Sequence, residues 1–218
     1  LSAIDIALWD IRGKVFNQPV SRLLGGFRDR VPTYASGALM RGFPLAHIEK
    51  AAARLVEKGF RQMKTQMALP GNTNPEREVE RMRVVRNAVG PDIDVMCEIN
   101  QRWDVRQAIS IGSRVEEYNL FWLEDVVAHD DYPGLAAVAD ALATPIAAGE
   151  YVYGLVPFRH MLEARSVDIV MCDVLRAGGI TQWMKIAGMA EAFNLPIVNH
   201  LCPEISVHMV AAAPNGLT

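Results

Sequence analysis

The sequence lacks the features that mark membrane-spanning, secreted and nucleic-acid-binding proteins. No apolar run approaches the roughly 18 residues that a membrane helix needs, and no basic-then-apolar signal pattern opens the chain. Lysine and arginine form no cluster, and 22 basic against 25 acidic residues leave a formal net charge of −3. Because no positive field attracts polyanions, we expect neither a nucleic-acid partner nor a membrane partner.

Cysteine is also scarce. The three cysteines, Cys97, Cys172 and Cys202, are odd in number, widely spaced and without a C-x-x-C pair. This pattern argues against a disulfide framework and a thiolate zinc site, and it favours a reducing, cytoplasmic compartment. What the chain has in quantity is apolar residues, which make up 50% of its 218 positions. That share supports a sizeable core and excludes a disordered chain.

Apolar runs of strand length alternate with segments of helical period along the whole chain. The predicted strands are 31–37, 61–67, 93–99, 120–124, 145–150, 167–173 and 195–200. The predicted helices are 2–14, 44–58, one beginning at Asn74 and Pro75, 104–118, 132–142, 155–165 and 180–193. Such alternation predicts parallel strands covered by helices. A G-x-G-x-x-G turn is missing after the first strand, which disfavours an open dinucleotide-binding sheet. We therefore predict an α/β fold, a (β/α)8 TIM-type barrel with seven strands in this chain.

The helix that begins at Asn74 carries closely spaced charges. Glu78 and Arg81 lie three residues apart, as do Glu80 and Arg83. This spacing suits ion pairs on a helix surface, so we expect these charges to form a solvated face. The preceding segment, 70–75, either lines the site or is a plain surface loop.

A chemically active side chain lies at or near the end of each strand from the second to the seventh. These residues are Lys64, Glu98, Glu124, Glu150, Asp173 and His200. In a closed barrel the carboxyl ends of the strands face one cavity, so residues far apart in sequence meet there. The three glutamates recur at equal intervals of 26 residues. Converging carboxylates repel unless a cation neutralises them, and hard oxygen donors favour Mg²⁺. The alternative for any one of them is a solvated loop glutamate.

Asp173 and His200 end adjacent strands, the sixth and the seventh. A carboxylate beside an imidazole fixes its tautomer and raises its basicity, which makes His200 a candidate general base. The alternative is a structural histidine. The remaining histidines receive no chemical role from their placement.

Several segments together resemble the barrel domain of the enolase superfamily, in its mandelate racemase/muconate lactonizing group. The segment that begins at Ala3 resembles the helix leading into that barrel. The successive active-site motifs are EINQ (98–101), WLED (122–125), GE (149–150), CDVLRAGGIT (172–181) and NHLCPEIS (199–206). An Asp and a His on the sixth and seventh strands are similar to the mandelate racemase subgroup.

The resemblance implies abstraction of the proton α to a substrate carboxylate, which gives an enediolate held by Mg²⁺. It implies that Glu98, Glu124 and Glu150 bind the metal, that Asn100 contacts the substrate, and that Asp173 orients His200. It also implies a separate capping domain.

The chain departs from the subgroup at the second strand. There the subgroup often has Lys-x-Lys, whereas this chain has Lys64-Thr65-Gln66. Gln66 cannot accept and return a proton, so two-base racemisation is disfavoured, and we assign Gln66 to substrate binding. Lys64 is expected to act as a cation beside the substrate carboxylate. We expect a lyase, a hydroxy-acid or sugar-acid dehydratase. The alternatives are a racemase or epimerase of a 2-hydroxy acid and an inactive protein that binds metal and acid.

Length adds an expectation about organisation. A complete (β/α)8 barrel takes about 250 residues, whereas this chain has 218. We predict that residues 1–218 are a single incomplete barrel domain from a longer protein, without the eighth strand and the capping domain. The expected partners are a small carboxylate substrate and further copies in a homo-oligomer.

Overall fold

The computed structural model describes residues 1–69 and 74–218. Most of the loop at 70–75, for which the sequence left two alternatives, therefore lies outside the described residues. The chain divides into two compact units, one formed by Thr33–Ala147 and the other by Leu1–Pro32 together with Ala148–Thr218. Among the described helices, none is both long enough and apolar enough to cross a membrane.

Strands and helices alternate along the chain. In order they are α1 (Ser2–Phe16), α2 (Val20–Leu23), β1 (Ala35–Leu39), α3 (Leu45–Glu57), β2 (Gln62–Gln66), α4 (Pro75–Val89), β3 (Asp94–Glu98), α5 (Val105–Val115), β4 (Trp122–Glu124), α6 (Tyr132–Ala141), β5 (Ile146–Ala148), α7 (Leu155–Glu163), β6 (Ile169–Asp173), α8 (Val174–Ala177), α9 (Ile180–Ala192), β7 (Ile197–His200) and α10 (Pro203–Ala212). A short 3-10 helix, Glu116–Tyr118, follows α5.

The strands pair in parallel and in chain order within each unit. In the 33–147 unit β1 to β5 lie side by side, and in the other unit β6 pairs with β7. The predicted α/β class with seven parallel strands is confirmed. An isolated parallel bridge between Ile197 and Gly216 gives β7 a further parallel neighbour.

The register of the strands aligns their carboxyl ends. Gln66 is the partner of Glu98 across β2 and β3, and Glu98 is the partner of Glu124 across β3 and β4. In the other unit Asp173 is the partner of His200 across β6 and β7. Since parallel strands in register end together, the last residue of each strand is a neighbour of the last residue of the next.

The first strand and several short helices differ from the sequence prediction. β1 begins at Ala35 rather than at position 31, which places Pro32 before the strand; proline has no N–H to give to a ladder. The sequence pattern also missed α2, α8 and α10. α2 and α8 are single turns of four residues, too short to show a helical period.

The first 32 residues pack on the last part of the chain, which explains why they share a unit. The Asp5 carboxylate accepts a hydrogen bond from the Thr181 backbone N–H, 2.9 Å away, in the first turn of α9. Trp9 Nε1 donates to Thr181 Oγ1, also at 2.9 Å. The Arg28 guanidinium donates to the Gly216 carbonyl at 2.6 Å. An acidic side chain at a helix N-terminus satisfies N–H groups that the helix leaves unpaired.

The charged residues of α4 correct one prediction. Glu80 and Arg83 form an exposed pair, as expected, but Glu78 and Arg81 are buried, with exposures of 0% and 3%. The Glu78 carboxylate accepts from the backbone N–H groups of residues 68 and 69, just after β2. Arg81 donates to the carbonyls of residues 41 and 43, just after β1. These loops have backbone groups outside any ladder, and buried side chains of α4 satisfy them.

The cysteines allow a simple test of the core. Cys97 and Cys172 are buried, whereas Cys202 is partly exposed. Burial raises the pKa of the Cys97 and Cys172 thiols well above the usual value. Because the thiolate is the reactive form, we expect a maleimide to modify only Cys202 in the native protein. Mass spectrometry of the labelled protein checks this, and labelling of all three is expected only in guanidinium chloride. Native labelling of Cys97 would contradict the packing of β3.

Candidate active site

The 33–147 unit places one lysine against two carboxylates at the ends of β2, β3 and β4. Lys64 Nζ hydrogen-bonds Glu124 Oε1 and lies 3.6 Å from Glu98 Oε2. The second oxygen of Glu124 accepts from Trp122 Nε1 at 2.8 Å. Glu98 and Glu124 are both buried, with exposures of 2% and 0%. The structure therefore brings together three of the site residues that the sequence predicted.

The pKa values in this cluster follow from burial and from the sharing of one cation. Burial and the charge of Glu124 raise the pKa of Glu98. Burial also acts to raise the pKa of Glu124, but the charge and hydrogen bond of Lys64 outweigh it and hold that pKa below its usual range. Burial acts to lower the pKa of Lys64, and its two carboxylate neighbours reverse this, so the net shift is upward. One ammonium serves two buried carboxylates, which leaves the cluster short of positive charge.

Asn100 and Gln66 lie beside this cluster and are joined through Arg41. Asn100 Oδ1 accepts from the Arg41 guanidinium at 2.5 Å, and its backbone N–H donates to Glu98 Oε1 at 2.6 Å. Gln66 Oε1 accepts from the Arg41 backbone N–H at 3.2 Å. Asn100 has a φ of 54°, a left-handed conformation that asparagine tolerates better than most residues.

Sequence reasoning missed Arg41. The residue follows the end of β1 and is 9% exposed. The rule that located the other site residues, a polar side chain after a strand, would have found it had the first strand been predicted to end at Leu39. The predicted strand ends at Gly37, so Arg41 falls outside the predicted strands and helices.

In the other unit Asp173 holds His200 by its ring. His200 Nδ1 lies 2.7 Å from Asp173 Oδ2, and it is the donor because an ionised carboxylate only accepts. Asp173 Oδ1 accepts from the backbone N–H groups of Leu175 and Arg176, the first turn of α8. Both oxygens of Asp173 are thus engaged, which fixes the carboxylate and, through it, the imidazole.

Glu150 lies on the other nitrogen of the same imidazole. Glu150 Oε2 is 2.9 Å from His200 Nε2. Gly149, which precedes Glu150, has a φ of 130°, and a Cβ at this position would lie 2.5 Å from the carbonyl oxygen of Met171 in β6. Only glycine therefore fits where the backbone after β5 passes so close to β6. Arg176, which the sequence reasoning also missed, donates to the Glu150 carbonyl at 2.8 Å and supports this segment.

Two acidic neighbours raise the basicity of His200. Burial acts to lower the pKa of His200, but the hydrogen bond with Asp173 and the charge of Glu150 raise it to about 9. Burial acts to raise the pKa of Asp173, and the His200 and backbone hydrogen bonds hold it below its ordinary value. The pair is therefore an ionised carboxylate and an oriented, strongly basic imidazole.

The donor set suits a hard divalent cation. Each of the three glutamates that the sequence assigns to a metal is buried and offers one carboxylate oxygen as a ligand atom. Oxygen ligands of this kind are those that Mg²⁺ and Ca²⁺ bind, and Mg²⁺ commonly keeps further positions for water or substrate oxygens. Glu98 and Glu124 share a single ammonium, so their charge also fits an added cation.

Comparisons with known proteins identify the family. Residues 47–218 match the enolase C-terminal domain-like family, and residues 1–25 match the N-terminal domain of the mandelate racemase / muconate lactonizing enzyme family. The chain is 33% identical to L-talarate/galactarate dehydratase of Salmonella typhimurium, covering 98% of this chain and 53% of that protein. It is 32% identical to 3,6-anhydro-alpha-L-galactonate cycloisomerase of Streptomyces coelicolor, covering 99% of this chain and 58% of that protein.

A solved structure agrees with these relatives. The L-talarate dehydratase of Polaromonas sp., complexed with Mg and L-glucarate, superposes with a TM-score of 0.93 at 31% identity, over 99% of this chain and 60% of that one. The chain thus spans between half and two thirds of the length of these relatives. It belongs to the mandelate racemase/muconate lactonizing enzyme group of the enolase superfamily.

Proposed function

We propose that the protein is a Mg²⁺-dependent dehydratase of a hydroxy acid or sugar acid. It removes the proton α to the carboxylate and expels the β-hydroxyl as water, which yields a 2-keto acid. The observation that carries the proposal is the 2.7 Å hydrogen bond between His200 Nδ1 and Asp173. It engages Nδ1 and makes Nε2, which in the metal-free protein lies 2.9 Å from Glu150 Oε2, the nitrogen that exchanges protons. The dehydratases among the relatives support this reaction over racemisation.

His200 carries both proton transfers in this proposal. In its neutral form His200 accepts the α-proton at Nε2, and the electron pair of the broken C–H bond moves towards the substrate carboxylate, which becomes an enediolate. This pair returns to form the Cα=Cβ bond of an enol when the β C–O bond breaks. The imidazolium then gives its proton to the β-hydroxyl as the C–O bond breaks, so water leaves and His200 returns to its neutral form. The enol becomes the 2-keto acid by tautomerisation. Asp173 keeps the ring oriented and stabilises the imidazolium between the two transfers.

Glu98, Glu124 and Glu150 are proposed as the residues that hold Mg²⁺. The ion supplies electrostatic stabilisation of negative charge that develops on the substrate carboxylate. Their burial and the shortage of positive charge around Glu98 and Glu124 support this assignment. Lys64 adds a fixed ammonium on the same side of the 33–147 unit.

Gln66 supports elimination rather than racemisation. A two-base racemase needs a second group that takes and returns a proton on the opposite face of the α-carbon. Gln66 is uncharged, and its oxygen accepts a hydrogen bond from the Arg41 backbone. A one-face elimination needs no second base, because the acid that forms on His200 serves the leaving hydroxyl.

The proposal is tested by incubating the protein with Mg²⁺ in D₂O and a panel of hydroxy acids and sugar acids. The panel includes L-glucarate, the acid in the Polaromonas structure. We expect a 2-keto acid, measured as its semicarbazone, and deuterium in the product at the carbon that was β, measured by NMR; the former α-carbon becomes the keto carbon and holds no hydrogen. A reaction mixture with EDTA in excess is expected to give neither signal.

Two results would overturn the dehydratase assignment. Interconversion of stereoisomers without keto acid would establish a racemase or epimerase. Metal-dependent binding of acids, without exchange or keto acid across the panel, would establish a binding protein. Acid binding is measured first by calorimetry, and the turnover assay on the same protein then shows whether stereoisomers interconvert or a keto acid forms.

A further inference from the structure

The hydrogen bonds around Arg41 fix the orientation of two amide side chains. A guanidinium and a backbone N–H can only donate hydrogen bonds. Arg41 offers its guanidinium to Asn100 and its backbone N–H to Gln66. Both amides must therefore turn their oxygen towards Arg41 and their NH₂ group away from it.

We infer that Arg41 is a positioning residue that presents the NH₂ groups of Asn100 and Gln66 as a pair of donors to the acid substrate. This inference rests on the proposed function and adds a residue to it. Gln66 ends β2, two positions after Lys64, so both side chains lie on the same face of the strand. Asn100 follows Glu98 and is tied to it by the 2.6 Å hydrogen bond from its backbone N–H. The two amides thus flank the carboxylate cluster of the same unit.

The donor pair defines the chemistry of the ligand. In the part of the chain that the structure describes, neither Gln66 Nε2 nor Asn100 Nδ2 has a hydrogen-bond partner, and both residues are only partly buried. The two amides offer two donor groups, beside the Lys64 ammonium that Glu98 and Glu124 share. The two amide donors therefore suit a ligand that presents hydrogen-bond acceptors, such as a carboxylate or an α-hydroxy acid, and they disfavour a ligand that presents a cation there.

The Arg41 loop is built to hold its guanidinium in place. Arg81 of α4 donates to the Arg41 carbonyl at 2.8 Å and to the Phe43 carbonyl at 3.1 Å. Arg41 also donates to the Glu98 carbonyl at 3.3 Å. Arg81 thereby anchors the backbone of Arg41, and acceptors on Glu98, the last residue of β3, and on Asn100 hold its guanidinium. A side chain fixed in this way loses little freedom when it orients Asn100.

The inference is tested by a double-mutant cycle on Arg41 and Asn100. Arg41→Met removes the donors at similar length, and Asn100→Gly removes the amide while accepting the positive φ. Affinity for L-glucarate is measured by calorimetry on the Mg²⁺-loaded protein, and kcat and KM on the acid of the panel that is turned over. We expect each single variant to weaken acid affinity about tenfold, as for one charge-assisted hydrogen bond. The double variant is expected to be no weaker than Asn100→Gly.

Gln66 supplies an internal comparison. Its oxygen is held by the backbone N–H of residue 41, which Arg41→Met retains. Gln66→Leu and Arg41→Met are therefore expected to weaken acid affinity additively, unlike the Arg41 and Asn100 pair. Arg83→Met, at an exposed arginine paired with Glu80, is the matched control and is expected to leave acid affinity, Mg²⁺ affinity and turnover unchanged.

The outcomes separate the inference from the proposed function. If the wild-type protein turns over an acid but the Arg41 and Asn100 effects add, Arg41 does not act through Asn100 and the inference is wrong. If the wild-type protein binds L-glucarate but turns over no acid of the panel, the dehydratase proposal fails and the cycle still measures the role of Arg41. Should Arg41→Met fail to fold, Arg41→Lys replaces it, and this variant is expected to retain part of the acid affinity because lysine still donates. Wild-type acid affinity in a folded Asn100→Gly variant would overturn the inference. If no acid of the panel binds, the donor pair is refuted as an acid site.

Discussion

Replacing His200 with asparagine is expected to abolish elimination while Mg²⁺ affinity is retained. Asparagine keeps an amide that can donate to Asp173, but it cannot take up and release a proton at neutral pH. In the proposed mechanism His200 is both the base and the acid, so its removal stops two steps. General acid or base catalysis contributes about 10²–10⁴-fold per group, and we expect kcat to fall at least about 10³-fold.

The measurements for His200→Asn are kcat for keto-acid formation, exchange of the α-proton in D₂O, and calorimetric Mg²⁺ titration. Loss of α-exchange together with turnover identifies the first proton transfer as the missing step. His160→Asn is the control, since His160 is an exposed histidine of α7 in the same unit and is expected to leave all three unchanged. Turnover within about tenfold of wild type would refute the single-base mechanism.

The sequence predicted those site residues whose position depends on strand periodicity. Glu98, Glu124, Asp173 and His200 end their strands in the structure, because an apolar run followed by a polar residue marks the end of a buried strand. Cross-strand neighbours could then be predicted from parallel topology alone. The 2.7 Å contact between Asp173 and His200 is the result of two such ends in register.

The residues that the sequence did not reveal depend on contacts between distant segments. Glu78 and Arg81 have the spacing of a solvated ion pair, yet each satisfies backbone groups of a loop outside its own helix: Glu78 those just after β2, and Arg81 those just after β1. Their burial follows from where those loops run, and helical periodicity contains no information about that. Arg41 was missed for a related reason, since its place depends on the exact end of β1.

Backbone strain near the site was equally invisible in the sequence pattern. Asn100 and Gln101 after β3, and Leu201 and Cys202 after β7, have φ values between 48° and 60°. Residues other than glycine adopt this conformation at a cost, which neighbouring contacts must offset. Here the Asn100 backbone N–H is held by Glu98 and the Leu201 carbonyl accepts from Ser206 Oγ at 3.0 Å. Such contacts can be inferred only once the fold has brought the partners together.

Replacing Glu124 with glutamine is expected to remove Mg²⁺ binding and to destabilise the fold, through two separate causes. The amide is a poor ligand for a hard cation compared with a carboxylate, so we expect at least about a 100-fold loss of Mg²⁺ affinity, measured by calorimetry. The substitution also removes the negative charge that pairs with Lys64, whose side chain is only 10% exposed. Breaking a buried ion pair typically costs about 3–5 kcal/mol.

A second substitution separates the two causes. The double variant Lys64→Met, Glu124→Gln has no unpaired ammonium. The metal-free protein is therefore expected to recover most of the lost free energy of unfolding, measured by urea denaturation, whereas its Mg²⁺ affinity is expected to stay low. Glu80→Gln, in the exposed pair with Arg83, is the matched control and should leave both quantities unchanged. Full Mg²⁺ affinity in Glu124→Gln would remove Glu124 from the ligand set. Both variants lack the Glu124 carboxylate. If the double variant recovered Mg²⁺ affinity along with stability, that carboxylate would not be needed as a ligand, and the loss of Mg²⁺ affinity in Glu124→Gln would come from destabilised folding.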